Sequence, residues 1–226
     1  MIKQENLDEY FRGEKLYGDD FSPDEIEQWF KDEEDGYFDL GAGDQDRYEY
    51  GYHAINYEHG FSHLPEGHYD SVLGIGSAYG DELKPIATNY RRIVILEPSE
   101  GFKVKELSGI PVTYEKPLSS GQLPFPTNQF DLITCFGVLH HIPNVSTVIK
   151  EIYRCLNRGG YALIREPTAS MGDWRKPRRG LTKHERGIPS RIFHRAIVSS
   201  GFRVISERRC MFSLTSRLSP LIRGPV

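Results

Sequence analysis

The stretch Ser71-Val-Leu-Gly-Ile-Gly-Ser-Ala-Tyr-Gly80 decides how this chain reads. Its first half is short, β-branched and apolar, the composition of a strand buried on both faces of a parallel sheet. Its second half places Gly74, Gly76 and Gly80 around the small residues Ser77 and Ala78. A run of that kind lets backbone N–H groups turn tightly and approach a ligand without Cβ interference. Asp81-Glu82-Leu83 then opens a predicted helix, with acids in the first turn where the helix dipole favours them. Strand, glycine turn and helix in that order form a cradle for a nucleotide-containing cofactor. The spacing argues against a nicotinamide dinucleotide: G-x-G-x-x-G counted from Gly74 needs glycine at 79, and Tyr79 is there.

Working outward, Arg92-Ile-Val-Ile-Leu-Glu97 reads as a second buried strand ending in an acid. Glu97, with Pro98 beside it, would stand at the tip of the neighbouring strand, within reach of a ribose diol. Pro111–Tyr114 is a shorter candidate strand, and Leu132–Phe136 a fourth, entered through the Pro-rich loop 123–131. Gly137-Val-Leu-His-His-Ile-Pro143 follows at that strand's C-terminal end, where open α/β sheets bind ligands. Val148, Ile149, Ile152 and Leu156 share one face of a predicted helix over 146–157, which Gly159-Gly160 should stop. Tyr161–Glu166 is a fifth strand, 168–187 a polar and basic connection, 189–200 a helix closed by Gly201, and Phe202–Glu207 a sixth strand.

The segment before the first strand is different in kind. Residues 1–70 hold 20 acids against 5 lysines and arginines, whereas residues 158–226 hold 15 basic residues against 4 acids. Ser22-Pro-Asp-Glu25 is a helix start, with Ile26, Trp29 and Phe30 on one apolar face; a second helix is expected within 48–57. The acidic front can pack against the basic rear, or Arg175, Lys176, Arg178, Arg179, Lys183 and Arg186 can line a pocket for an anionic substrate. No apolar run reaches the ~18–20 residues of a membrane helix, and the N-terminus lacks a secretory pattern. Cys135, Cys155 and Cys210 are too scattered for a disulfide framework or a zinc site, so free thiols and a cytoplasmic setting are expected.

The ordered set VLGIGSAYG, ILEPSE, LPFPTNQFDLITCFGVLHHIP, EIYRCLNRGGYALI and a late GF resembles the class I S-adenosylmethionine-dependent methyltransferases, small-molecule branch, over residues 70–209. The resemblance implies an α/β, Rossmann-like, doubly wound and mostly parallel sheet of six to seven strands with helices on both faces. An acidic N-terminal helical lobe (1–69) would precede the methyltransferase domain (70–226). It implies that Gly74, Gly76, Ser77, Ala78 and Gly80 surround the methionine part of S-adenosylmethionine, the product being S-adenosylhomocysteine. Glu97 and Pro98 would meet the ribose, Leu118 and Ser119 the adenine, and Phe136 and Gly137, with the following loop, the sulfonium. Two positions depart from the family pattern: Gly74 replaces a usual Asp, and Ala78 a usual Gly. The first removes a carboxylate that often fixes the methionine amino group, so another group would have to compensate.

Methyl transfer to a hydroxyl requires positioning, exclusion of water and removal of a proton. His140, His141 and Glu166, all at C-terminal strand ends, are the candidates for that removal. No metal site is expected: His53, His59, His63 and His68 lack ligand spacing. No Asn-Pro-Pro-Tyr or Asp-Pro-Pro-Tyr run follows the fourth strand, which disfavours transfer to a nucleobase amine. The expectation is therefore methylation of a small molecule, on a hydroxyl of a sugar or related metabolite. The alternatives are an RNA methyltransferase using the basic 175–186 segment and a non-catalytic cofactor-binding or scaffold protein.

Overall fold

The computed structural model describes residues 4–36, 38–39, 48–168 and 176–210. Helices α1 (Gln4–Phe11), α2 (Pro23–Glu33) and α3 (His53–His59) precede strand β1 (Tyr69–Ile75). Then come β2 (Tyr90–Leu96), β3 (Glu106–Leu107), β4 (Ile110–Glu115), β5 (Phe130–Phe136), α4 (Val145–Cys155), β6 (Leu156–Arg165) and α5 (Ser190–Ser199). The six strands form one sheet in the order β3-β4-β2-β1-β5-β6, parallel throughout except for β3 against β4. The chain steps from β1 one way to β2 and β4, then returns to the other side of β1 as β5 and β6. That reversal leaves a crevice between the C-terminal ends of β1 and β5, where such sheets bind ligands.

Alternation along the strands builds two cores. Leu73, Ile75, Ile133 and Cys135 face α4 and α5 together with Leu16 from the N-terminal segment. Val72, Ile93, Ile95 and Leu132 face the other way, onto Phe61, Leu83 and Ile86. The sheet is thus covered on both faces. The N-terminal elements are docked on it: Asp19 accepts from Ser146 N (2.8 Å) and Ser146 Oγ (2.6 Å), supplying the first turn of α4 with a side-chain cap. The start of α2 is the one its sequence announces, with Ser22 and Glu25 forming a reciprocal capping box and Pro23 in the first turn.

Four local expectations are corrected. The segment after the glycine turn, Asp81–Asn89, is 3-10 rather than α-helical, because Pro85 lies inside it and the backbone kinks at Ile86 (φ −117°, ψ 19°). Helix α4 ends at Cys155, and Gly159-Gly160 lie within β6, where the register shifts between Phe130 and Leu132; a Cβ at Gly160 would come within 2.9 Å of Asp131 O. The short β3 was not foreseen. Residues 202–207 form no strand: their apolar alternation suits a sheet but finds no partner, and Val204 and Ile205 stay exposed. Residues 211–226, which alone remain for a seventh strand, lie outside the described residues. Among the described residues no helix is long and apolar enough to cross a membrane, and Cys135, Cys155 and Cys210 are free thiols.

Gly74 sits in β1 opposite Thr134 of β5, and a Cβ there would collide with the Ser77 side chain. Gly74→Ala is therefore expected to lower unfolding free energy by roughly 1–3 kcal/mol, measured by denaturant melts; an unchanged midpoint would show that Ser77 can swing aside.

Candidate functional site

A cleft of about 1680 Å³ opens at the C-terminal ends of β1, β2, β5 and β6 and continues along β6 toward residues 201–210. The glycine turn forms its floor. Gly76 has φ +61°, its N–H donates to Leu96 O (2.8 Å), and an added Cβ would meet Val138 at 2.6 Å. Only glycine satisfies both demands. Ala78 is also left-handed (φ +47°), a conformation that costs a residue with a Cβ roughly 1–2 kcal/mol. It is held there by Tyr114, whose hydroxyl donates to Ala78 O at 2.9 Å, and by Glu97, whose Oε2 accepts from Ala78 N at 3.1 Å.

Glu97 stands at the tip of β2 and lines the cleft beside Gly76, Ser77, Ala78 and Pro98. Its other oxygen accepts from Ser99 N at 3.3 Å. Burial pushes its carboxyl up to about 7, helped by the nearby charges of Glu82 and Asp35 and only partly offset by the two N–H donors. Phe136 and Gly137 line the same space. Four of the expected cofactor residues do not. Gly74 and Gly80 are buried behind the turn. Leu118 is half exposed and away from the cleft, and Ser119 is drawn aside with its neighbour by Asn144, whose Nδ2 donates to Ser120 O at 2.7 Å.

The loop Val138–Pro143 forms one wall and is clamped from two sides. Glu166 accepts from the N–H groups of Val138 (2.9 Å), Leu139 (2.8 Å) and His140 (3.3 Å). The carbonyls point toward cations and donors. Arg186, 2% exposed, donates to the carbonyls of Leu139, His140, Ile142 and Pro143, and also to Tyr17. Trp29 Nε1 donates to His141 O at 2.6 Å, and Val138 O accepts from His141 N at 2.9 Å. Burial draws the Arg186 guanidinium down to about 10, which leaves it charged at neutral pH.

The two loop histidines differ. His140 Nδ1 lies 2.8 Å from Glu166 Oε2 and Nε2 lies 3.5 Å from Glu185 Oε1, so both ring nitrogens face carboxylates. Burial lowers its pKa, but Glu166 and Glu185 outweigh that and carry it up to about 9. His140 is thus held as an imidazolium with no lone pair to offer at neutral pH. His141 Nδ1 lies 2.9 Å from both Glu33 Oε2 and Thr182 Oγ1, and no described residue bonds Nε2. Glu33, at the end of α2, also accepts from His184 N (2.7 Å); burial raises its carboxyl, but His141 and Thr182 draw it below the usual range. Donor atoms of His140, His141 and Glu185 lie within 4.8 Å of one another, but His140 already spends its nitrogens on carboxylates.

The basic rear segment turns inward. Lys183 and His184 pair with Asp32 at 2.6 and 2.7 Å, Arg178 donates to the carbonyls of Thr182, Lys183 and Glu185, and Arg186 is buried. The acidic front packs on the basic rear, and the anionic-substrate pocket expected of these residues is not formed by Arg178, Lys183 or Arg186, whose charges are used internally. Lys176 and Arg179 are exposed, and Arg175 lies outside the described residues.

Residues 73–164 match the family model described as a methyltransferase domain. A solved S-adenosylmethionine-dependent methyltransferase of Mesorhizobium loti superposes with a TM-score of 0.55 at 18% identity, over 72% of this chain and 88% of that one. In fold the chain is similar to the S-adenosylmethionine-dependent methyltransferases, and residues 73–164 are similar to their domain. Two curated proteins to which this chain is similar are a ubiquinone/menaquinone biosynthesis C-methyltransferase of Stenotrophomonas maltophilia and a demethylmenaquinone methyltransferase of Geobacillus stearothermophilus. The first is 40% identical over 24% of this chain and 22% of its own length. The second is 27% identical over 43% of this chain and 40% of its own. The chain thus spans less than half the length of these relatives. S-adenosylmethionine is the cofactor of the methyltransferases this fold resembles, and the cleft suits it. The glycine turn admits backbone approach where a Cβ at 76 would clash, and Glu97 presents a carboxylate at the β2 tip.

Sequence spacing did not bring forward Glu33, Glu82 or Arg165 as site residues, and it offered Arg186 only as part of an anionic-substrate pocket. Glu33 and Arg186 meet the loop across more than a hundred and more than forty positions respectively, so no local pattern marks them. Glu82 was visible only as a first-turn acid.

The raised pKa of His140 sets a pH window. Its folded value lies above the ordinary 6.5, so the stabilisation is complete below about pH 6.5 and is lost as pH climbs through about 9. Thermal melts should show the wild-type midpoint falling between pH 7 and 9.5 more steeply than that of His140→Gln. Parallel curves would show that His140 is neutral when folded.

Proposed function

We propose that this protein transfers the methyl group of S-adenosylmethionine to a small molecule, on a hydroxyl of a sugar or related metabolite, with His141 as the general base. The observation that carries the reading is the Glu33–His141 pair: one ring nitrogen is fixed by a carboxylate at 2.9 Å while the other is left free on a residue that lines the cleft. A carboxylate on Nδ1 orients the imidazole, fixes the tautomer with the lone pair on Nε2, and stabilises the imidazolium that forms on proton uptake. The bound cofactor supplies an electrophilic methyl group. His141 takes the acceptor's proton, Glu97 meets the ribose, and the ordered loop holds His141 on the rim. Tyr48, Tyr50, Tyr52 and Phe102 lend the cleft apolar walls that limit water.

A second reading keeps the same base. The curated relatives are named as C-methyltransferases or demethylmenaquinone methyltransferases, and an aromatic-lined cleft suits a phenolic ring. Deprotonating a ring hydroxyl pushes electron density onto the adjacent carbon, so His141 would serve carbon methylation equally. The inward-turned basic segment supports a small acceptor over RNA. The free thiols favour a reducing, cytoplasmic setting.

Labelled S-adenosylmethionine, offered with sugars, polyols and phenols, should yield methylated product from one class, and the position of the label separates oxygen from carbon transfer. With that acceptor, His141→Ala should lower kcat by roughly 10²–10⁴-fold while S-adenosylhomocysteine affinity stays within about twofold by calorimetry. Glu33→Gln should fall between the two. Turnover retained in His141→Ala would remove the base.

A further inference from the structure

The β6 side of the cleft ends in a cation with no matching anion. Arg165 closes β6 opposite Phe136 of β5, and its carbonyl accepts from Gly137 N at 2.7 Å, so the sheet fixes its backbone. Its guanidinium lies over the Tyr52 ring, 4.2 Å from the centroid, and 5.8 Å from that of Phe136. All three residues line the cleft. A guanidinium lying over a ring keeps its N–H fork at the edge, in the plane where a carboxylate can meet it.

Much of that donor capacity is unused. Nε is buried and has no acceptor. Glu82, whose ionised form Arg165 favours, accepts instead from Ser77 Oγ (2.8 Å) and Thr134 Oγ1 (2.6 Å), and the two make no ion pair. Glu166, the next residue along the chain, is turned to the loop amides and to His140. The Tyr50 hydroxyl bonds Arg165, but one phenol oxygen cannot satisfy the whole fork. A charged donor left short of acceptors in a partly desolvated site is complementary to an anion.

Gly137 shows where that anion would lie. A Cβ placed there would be 3.8 Å from Arg165 Nη2 and 3.7 Å from His140 Cε1, so the guanidinium and the His140 ring flank the same glycine. The His141 ring lies against that of His140, with 4.1 Å between centroids. Arg165 and the proposed base thus share the β5–β6 side of the cleft, away from Glu97 at the tip of β2. An anion held by Arg165 on that side belongs to the methyl acceptor. The rings beside the guanidinium favour a flat anion in its plane, which is a carboxylate.

We propose that Arg165 selects the acceptor by pairing with a carboxylate on it: the acceptor is a hydroxy acid that presents its hydroxyl to His141 and its carboxylate to Arg165. The inference rests on the methyl-transfer reading above and narrows it from sugars and phenols to uronic acids and hydroxybenzoates. Arg165 is a binding residue here and takes no part in proton transfer.

Matched pairs of probes test it. Glucuronate and 4-hydroxybenzoate carry the carboxylate; glucose and 4-hydroxybenzamide are their neutral counterparts. By calorimetry the wild type should bind at least one acid roughly 10–100-fold more tightly than its counterpart, the range of a charge-assisted hydrogen bond. Arg165→Gln should erase that preference while S-adenosylhomocysteine affinity stays within about twofold, and with labelled S-adenosylmethionine its loss should fall on KM for the acid more than on kcat. Arg165→Lys keeps the charge without the fork and should retain part of the preference, which gives a second reading if Arg165→Gln melts early. No preference for either acid in the wild type, or one that survives Arg165→Gln, would overturn the proposal. So would tighter binding of phenyl phosphate than of 4-hydroxybenzoate, which would make the anion a phosphate, or a loss of S-adenosylhomocysteine affinity in Arg165→Gln, which would assign the residue to the cofactor. The methyl-transfer reading fails separately, if the wild type binds no S-adenosylhomocysteine; the carboxylate site stands or falls on the acid titrations alone.

Discussion

The site depends on how one short loop is held. Residues 138–143 leave β5 and must present polar backbone groups at the centre of the molecule, where unmade hydrogen bonds cost about 1–3 kcal/mol each. A carboxylate collects the N–H groups of Val138, Leu139 and His140, and a guanidinium collects the carbonyls of Leu139, His140, Ile142 and Pro143. Glu166 and Arg186 are thereby matched through the dipoles of the loop between them rather than by direct contact. Each offers several donor or acceptor sites in a fixed plane, so the loop has one shape compatible with both. Removing either would leave a buried charge and a set of orphan amides or carbonyls, which is why a geometry built from irregular backbone can still be rigid.

This arrangement explains the uneven charge along the chain. The acidic front contributes Asp19 to the start of α4, Asp32 to Lys183 and His184, and Glu33 to His141 and to the backbone of His184. The basic rear contributes Arg186 to the loop and to Tyr17. Trp29 ties the two together: its ring stacks on His184 (4.5 Å between centroids), lies 5.2 Å from the Arg186 guanidinium, and its indole N–H reaches His141 O. The N-terminal elements are consequently part of the wall that carries the candidate base.

The parts of this that local sequence could convey are those set by local rules. β1 and β2, the glycine turn between strand and 3-10 segment, and Glu97 at a strand tip follow from apolar runs, spacing and the steric freedom of glycine. The capping box at Ser22 is legible for the same reason. Glu33, Glu82 and Arg186 are not, because their roles are fixed by partners on other elements. In isolation each is an ordinary charged residue on a polar stretch. His140 and His141 were visible as a pair, but nothing in the dipeptide distinguishes a ring between two carboxylates from one with a free nitrogen. The segment 202–207 erred in the opposite direction: its composition suits a strand, and a strand exists only where another edge accepts it.

Two carboxyls on the cleft are held at a cost by burial. Glu82 and Glu97 are both pushed up to about 7, chiefly by burial, and the Glu82 charge adds to the rise at Glu97. A carboxyl whose folded pKa exceeds its unfolded value of 4.5 makes the native state hold the extra proton. Ionising it on folding therefore costs stability, and that cost grows as pH rises from about 4.5 to about 7. A fold under selection for stability alone would have little use for two such groups on one crevice. Their presence is intelligible if a ligand bound in the cleft supplies the donors that the fold withholds from them.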